Sequence, residues 1–166
     1  MACALARAER WWGEPAEVAL PRRSCDHLCP MNDAVARYCT ASEIGDIDGL
    51  MDTLAPDVEV VSPISGRMTF RGQDDVRVLL TAVYTSLNGL HWSHRIGDSD
   101  VRVVLGEARV GVVPMTDAMV FDLDSHGRIR RVSPHLRPWL ALTLFAAVLG
   151  PKVARHPGVV RRALAA

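Results

Sequence analysis

From Asp33 onward the chain alternates between two hydrophobic periods. Val35, Tyr38, Cys39 and Ser42 fall at helical spacing and predict a first helix, with Asn32 or Asp33 as N-cap and Gly45 as its end. Asp46 then caps a second short helix whose face is Ile47, Leu50, Met51 and Leu54, with Pro56 as its breaker. Val58, Val60 and Ser62 alternate with Asp57, Glu59 and Val61, the pattern of a half-buried strand. The fragment RMTF predicts another strand, and Gly72 opens a long helix with its first-turn acids and a buried face of Val76, Leu79, Leu80, Val83, Tyr84 and Leu87.

Strand patterns fill the next fifty residues. Leu90, Trp92, His94 and Ile96 predict one face of a strand, with His91, Ser93 and Arg95 on the other. After the turn at residues 97–100, residues 101–105 and 108–115 read as a hairpin around Gly106-Glu107. Residues 117–124 and 128–135 predict two more strands. Pro138 sits where a helix would start, and WLALTLFAAVLG follows almost without a polar atom until Gly150-Pro151 breaks it. That run is too short for the roughly 20 residues that span a bilayer. Its apolarity all round predicts burial in protein, as a lid over a pocket, as part of a homodimer interface, or with Arg155, Arg161 and Arg162 as a contact to an anionic membrane.

Composition changes the picture little, and charge changes it more. A hydrophobic fraction of 49% and a charged fraction of 23% over 166 residues predict one folded domain with a real core, not a disordered chain. Net charge is zero, but all 19 acids precede residue 125, and the last 42 residues carry seven Arg and Lys152. A neutral whole argues against nucleic acid as partner. The cysteines form no disulfide framework, so a reducing, cytoplasmic setting is expected. Cys25, His27 and Cys29 lack a second ligand pair, so no metal is expected there. Residues 1–30, interrupted by Pro15, Pro21 and Pro30, are expected to be an irregular extension without a signal peptide's pattern, Met31 being a plausible start of the native chain. The organisation expected is 1–30 as extension, 31–136 as domain, and 137–166 as apolar helix with a basic tail.

The order helix, helix, strand, helix, then antiparallel strands resembles the nuclear transport factor 2-like superfamily. The segments RYCTASEIGDIDGLMDTLAPDVEVVSP and FRGQDDVRVLLTAVYTSL, and more loosely MTDAMVFDLDSHGRIRRVSPH, look most like its ketosteroid isomerase and SnoaL-like cyclase branch. The resemblance implies an α+β, cone-shaped barrel in which N-terminal helices pack into a curved, mainly antiparallel sheet. It implies a homodimer, no cofactor, and a site of three polar groups in an apolar cone. Tyr38 matches the oxyanion tyrosine and Asp117 the oxyanion aspartic acid, with Phe121 following at the family's spacing. The family's general base falls on Ser62, beside Pro63, and a serine hydroxyl cannot carry that proton alone.

These matches set the candidates. Period two puts Asp117 on one face with Met115, Met119 and Phe121, where burial would raise its pKa. His94, alternating with Trp92, is the substitute base, with His135 a weaker one. Ser62, Trp92, Met115, Met119 and Phe121 are expected to line the ligand. The function expected is binding of a small hydrophobic ketone and isomerisation or cyclisation through an enolate held by Tyr38 and Asp117. The alternatives are a binding module without catalysis and a protein-interaction domain acting through sheet and tail.

Overall fold

The computed structural model of the protein describes residues 33–97 and 100–165. The expectations for residues 1–30, including the Cys25-His27-Cys29 cluster, lie outside the described residues. Helix α1 (Ala34–Ile44) starts where the Asp33 carboxylate accepts from the Val35 N–H and ends at Gly45, at φ +73°. Helix α2 (Ile47–Met51) is capped by Asp46, which accepts from Gly49 N at 2.9 Å. Both follow the sequence pattern. Leu54 does not: it belongs to strand β1 (Leu54–Val61), which also contains Pro56. The β1–β6 register shifts between Leu54 and Glu59, so Pro56 sits in a bulge where its missing N–H costs no ladder bond.

Strand β2 (Thr69–Arg71) and helix α3 (Gly72–Tyr84) follow, then β3 (Asn88–Ile96), β4 (Val101–Val110), β5 (Val113–Leu123), β6 (Ile129–Ser133) and β7 (Leu136–Arg137). They form one curved sheet in the order β2-β1-β6-β5-β4-β3, with β7 on β5. Every pairing is antiparallel except β1 with β6. Its concave face packs on α1, α2 and α3 through Tyr38, Leu50, Val58, Val76, Val104, Phe121 and Val132, all almost fully buried. The expected cone-shaped α+β architecture is the one observed.

The hairpin expected at Gly106-Glu107 is elsewhere. β4 runs unbroken through Gly106, and the turn falls at Gly111, whose φ of +59° suits a tight hairpin. Gly106 is small for another reason: a Cβ there would strike the Trp92 indole, which lies across the strand.

The tail forms two helices. α4 (Trp139–Ala154) passes through Gly150-Pro151 instead of breaking there, because the hydrogen bond that Pro151 forfeits lies on an exposed side of the helix. α5 (Pro157–Leu164) starts at Pro157, which takes the N1 position. Only one stripe of α4 is buried, Ala141, Phe145, Leu149 and Val153, whereas Trp139 and Leu140 are exposed; the expected burial all round does not occur. Among the described residues no helix is long and apolar enough to cross a membrane.

Candidate functional site

A partly open cavity of about 60 Å³ lies between the sheet, α1, α3 and α4. Its walls are apolar, from Leu79, Val83, Leu90, Trp92, Ala108, Met115 and Met119, with Phe145 of α4 as roof. Polar groups enter at few points. Tyr38, on the buried side of α1, reaches it from one wall, and Asp117 of β5 from another. Asp117 pairs with Gly106 across β4 and faces inward with Met115 and Met119, as period two requires. The sequence thus brings the phenol and the carboxyl into one hollow.

Tyr38 is held from behind. Tyr84, on the inner face of α3, donates its hydroxyl to the Tyr38 oxygen at 2.8 Å, which leaves the Tyr38 proton for a group in the cavity. Phe121 meets the Tyr38 ring edge to face with centroids 5.1 Å apart. Phe121 does not line the cavity, so the expected ligand contact is instead a prop for the phenol. Burial pushes the pKa of both tyrosines upward, and the Asp117 charge adds to this. Both therefore stay neutral donors. Tyr84 went unassigned in the sequence reading; its only signal was a place on the apolar stripe of α3.

Asp117 is pushed up from 3.8 to about 6, chiefly by burial. The His135 backbone N–H, which Asp117 Oδ1 accepts at 3.0 Å, and the nearby His135 charge oppose that rise. His135 thus reaches the site through its main chain. Its ring is exposed and lies within 3.1 Å of the Ala118 and Ser133 carbonyls.

Two further expectations fail on geometry. His94 is exposed, its Nδ1 3.0 Å from the Ser93 hydroxyl, and it does not line the cavity. The β3–β4 register jumps from Trp92↔Gly106 to His94↔Leu105, so Ser93 is an extra residue. That bulge turns His94 to the outer face, where it shares a shallow trough with His135 and Arg137. Ser62 is buried but does not line the cavity either; neighbouring Pro63 does. Ser62 instead builds the β1–β2 turn, donating its N–H to Met68 O at 2.9 Å and accepting the Ile64 N–H on its hydroxyl. Trp92, Met115 and Met119 line the hollow as expected. Trp92 is fixed there by a 2.8 Å bond from its Nε1 to the Ser42 hydroxyl.

The sequence profile of the SnoaL-like domain family matches residues 35–132. No curated protein matches the chain. Among solved structures, a Silicibacter pomeroyi protein with a cystatin-like fold is similar at 20% identity and a TM-score of 0.74, over 80% of this chain and 95% of its own. A steroid delta-isomerase from Pseudomonas aeruginosa is similar at 23% identity and a TM-score of 0.68, over 75% and 92% of the two chains. A candidate polyketide cyclase from Sinorhizobium meliloti is similar at 23% identity and 0.55, over 62% and 94%. At these identities the likeness is one of fold.

Proposed function

The chain belongs to the SnoaL-like domain family, and from that premise we propose that its cavity binds a small hydrophobic ketone and enolises it, as an isomerase or cyclase. One observation carries this reading: a neutral phenol and a carboxyl with its pKa raised to about 6 enter the same apolar hollow. The steroid delta-isomerase and the candidate cyclase of this fold support the reaction class.

The geometry favours a division of labour different from the family pattern. Ser62 and His94 are outside the cavity, which leaves Asp117 as the ionisable group best placed to take a proton. A pKa of about 6 leaves it mostly ionised at neutral pH yet basic enough to work as general base. Its carboxylate removes a proton from the carbon beside the ketone. The C–H electron pair forms the enolate, whose oxygen takes the Tyr38 hydrogen bond, itself reinforced by Tyr84. The protonated Asp117 returns its proton to another carbon of the conjugated system, or the enolate carbon attacks a second carbonyl of the substrate, whose π pair moves onto its oxygen and takes the proton back from Asp117.

The test is 3-cyclohexenone, a minimal β,γ-unsaturated ketone, with a 5-ene-3-ketosteroid beside it, followed by absorbance of the conjugated enone. Turnover of the small ketone is expected, falling about 10²–10³-fold in Tyr38→Phe and vanishing in Asp117→Asn. The rival is a binding module without turnover, favoured by the serine at the family's base position. Binding without enone formation at any pH from 5 to 9 would decide for it.

A further inference from the structure

The cavity that holds Tyr38 and Asp117 is far smaller than the roughly 300 Å³ at which ordinary ligand sites begin. Next to it lies a second hollow. This is an open crevice of about 260 Å³ beneath α4 and α5, almost wholly apolar, lined by Met68, Phe70, Ala146, Leu149, Val153 and Val160 among others. One side chain, Leu79 of α3, lines both hollows. The other walls also run across the boundary. Val60 of β1 lines the cavity, and Ser62, just past the end of that strand, lines the crevice. On α4, Phe145 roofs the cavity, and Leu149 and Val153, on the same buried stripe, roof the crevice.

We propose that the two hollows form one bipartite site for a ketone with an unbranched or flat apolar tail, its carbonyl at Tyr38 and Asp117 and its tail passing Leu79 into the crevice under α4. This deepens, and rests on, the reading of the cavity as a ketone site. Three observations support it. The inner hollow has room for a carbonyl and its nearest carbons and for little else. The crevice offers no charged side chain and only the Ser62 and Ser65 hydroxyls, so it suits hydrocarbon and not a second polar group. Leu79 borders both hollows, so a change of its rotamer is the smallest movement that would join them. The crevice requires α4 and α5, so the tail that follows the family-matched segment sets ligand length.

Linear methyl ketones from 2-butanone to 2-nonanone, titrated by ligand-observed NMR, test this on the full chain. Each methylene that enters the crevice tightens binding about fourfold, so 2-nonanone is expected to bind at least tenfold tighter than 2-butanone. Ala146→Phe, which puts a ring into the crevice, should bring that ratio to near one. Gly150→Leu, where an added Cβ meets nothing within 4 Å, is the second plug should the first variant fail to fold. Equal affinities across the series in the native chain, or a chain-length gain that survives both plugs, would overturn the bipartite site. Tyr38→Phe separates the two readings: it should weaken both ketones by a similar factor. If it changes neither while the plugs still abolish the gain, the carbonyl assignment fails and the crevice stands alone. Absence of binding by every ketone overturns both.

Discussion

Replacing Asp117 by Asn removes an ionisation that the folded protein resists. Its carboxyl has a folded pKa of about 6 against 3.8 when unperturbed, so the native state holds the proton more tightly than the unfolded chain. Below pH 4 both states are protonated and the group has no effect. Between about pH 4 and 6 the unfolded chain releases the proton first, and native stability falls as pH rises. Above pH 6 the loss is complete and constant. At 1.36 kcal/mol per pH unit the interval amounts to at most about 3 kcal/mol, less what water reaching the half-buried residue screens. The asparagine oxygen can still accept the His135 N–H, but its amide faces an apolar hollow, which adds a penalty independent of pH. Urea unfolding of both proteins from pH 4 to 8 isolates the pH-dependent part. The variant should gain on the native protein by roughly 2–3 kcal/mol across pH 4–6 and no further beyond. A stability difference that stays flat over that interval would mean the carboxyl is solvated, and the proposed base would lose its physical footing.

Other consequences are smaller and equally direct. Tyr84→Phe removes the donor behind Tyr38, worth about 1 kcal/mol for a neutral bond, so enone formation should slow roughly fivefold with KM little changed. Gly106→Ala drives a methyl into the Trp92 indole and should cost about 1–3 kcal/mol in thermal unfolding, with the tryptophan emission altered. Asp75 accepts two bonds from Arg162 and is held below the usual carboxylate range, so its stabilising effect is full above about pH 4 and fades as pH falls from there through its lowered folded pKa. Asp75→Asn should therefore lower Tm slightly at pH 7, and its gap to the native protein should narrow as pH falls below 4.

The inner face of β5 was legible because strand alternation is a local rule: Asp117, Met115 and Met119 all point where period two sends them. Tyr38 was legible from the α1 spacing. The failures share one cause, which is that a single residue can satisfy two local rules. Gly106 suits a turn as well as it suits the space under an indole on the preceding strand, and Pro56 suits a helix stop as well as a strand bulge. His94 failed because alternation through residues 90–96 continues in the sequence while the ladder slips at Ser93; the slip is recorded only in the pairing with β4. The Tyr84–Tyr38 bond spans 46 residues and has no short-range mark.

The charge asymmetry of the chain finds its use within the molecule. Helix α3 is gripped at both ends by the basic tail. Near its N-terminus Arg162 of α5 meets Asp75, and beyond its C-terminus Lys152 of α4 donates to Thr85 O and to the Thr85 and Ser86 hydroxyls at 2.8–3.1 Å. The second grip suits the helix dipole, since a cation is favoured where the last carbonyls are unpaired. Arg162 stands mostly in water and Lys152 is half-buried with neutral acceptors, so these contacts add little to stability alone. Their value is positional. The buried stripe of α4 rises in steps of four residues, so sliding the helix by one turn would put leucine against nearly the same wall. Two fixed charges on opposite ends of α3 remove that ambiguity and hold Phe145 over the hollow and Leu149 over the crevice. Because the roof is pinned at its edges and the hollow is small, any ligand longer than the inner cavity must be accommodated by side-chain movement at Leu79 before it requires α4 to lift.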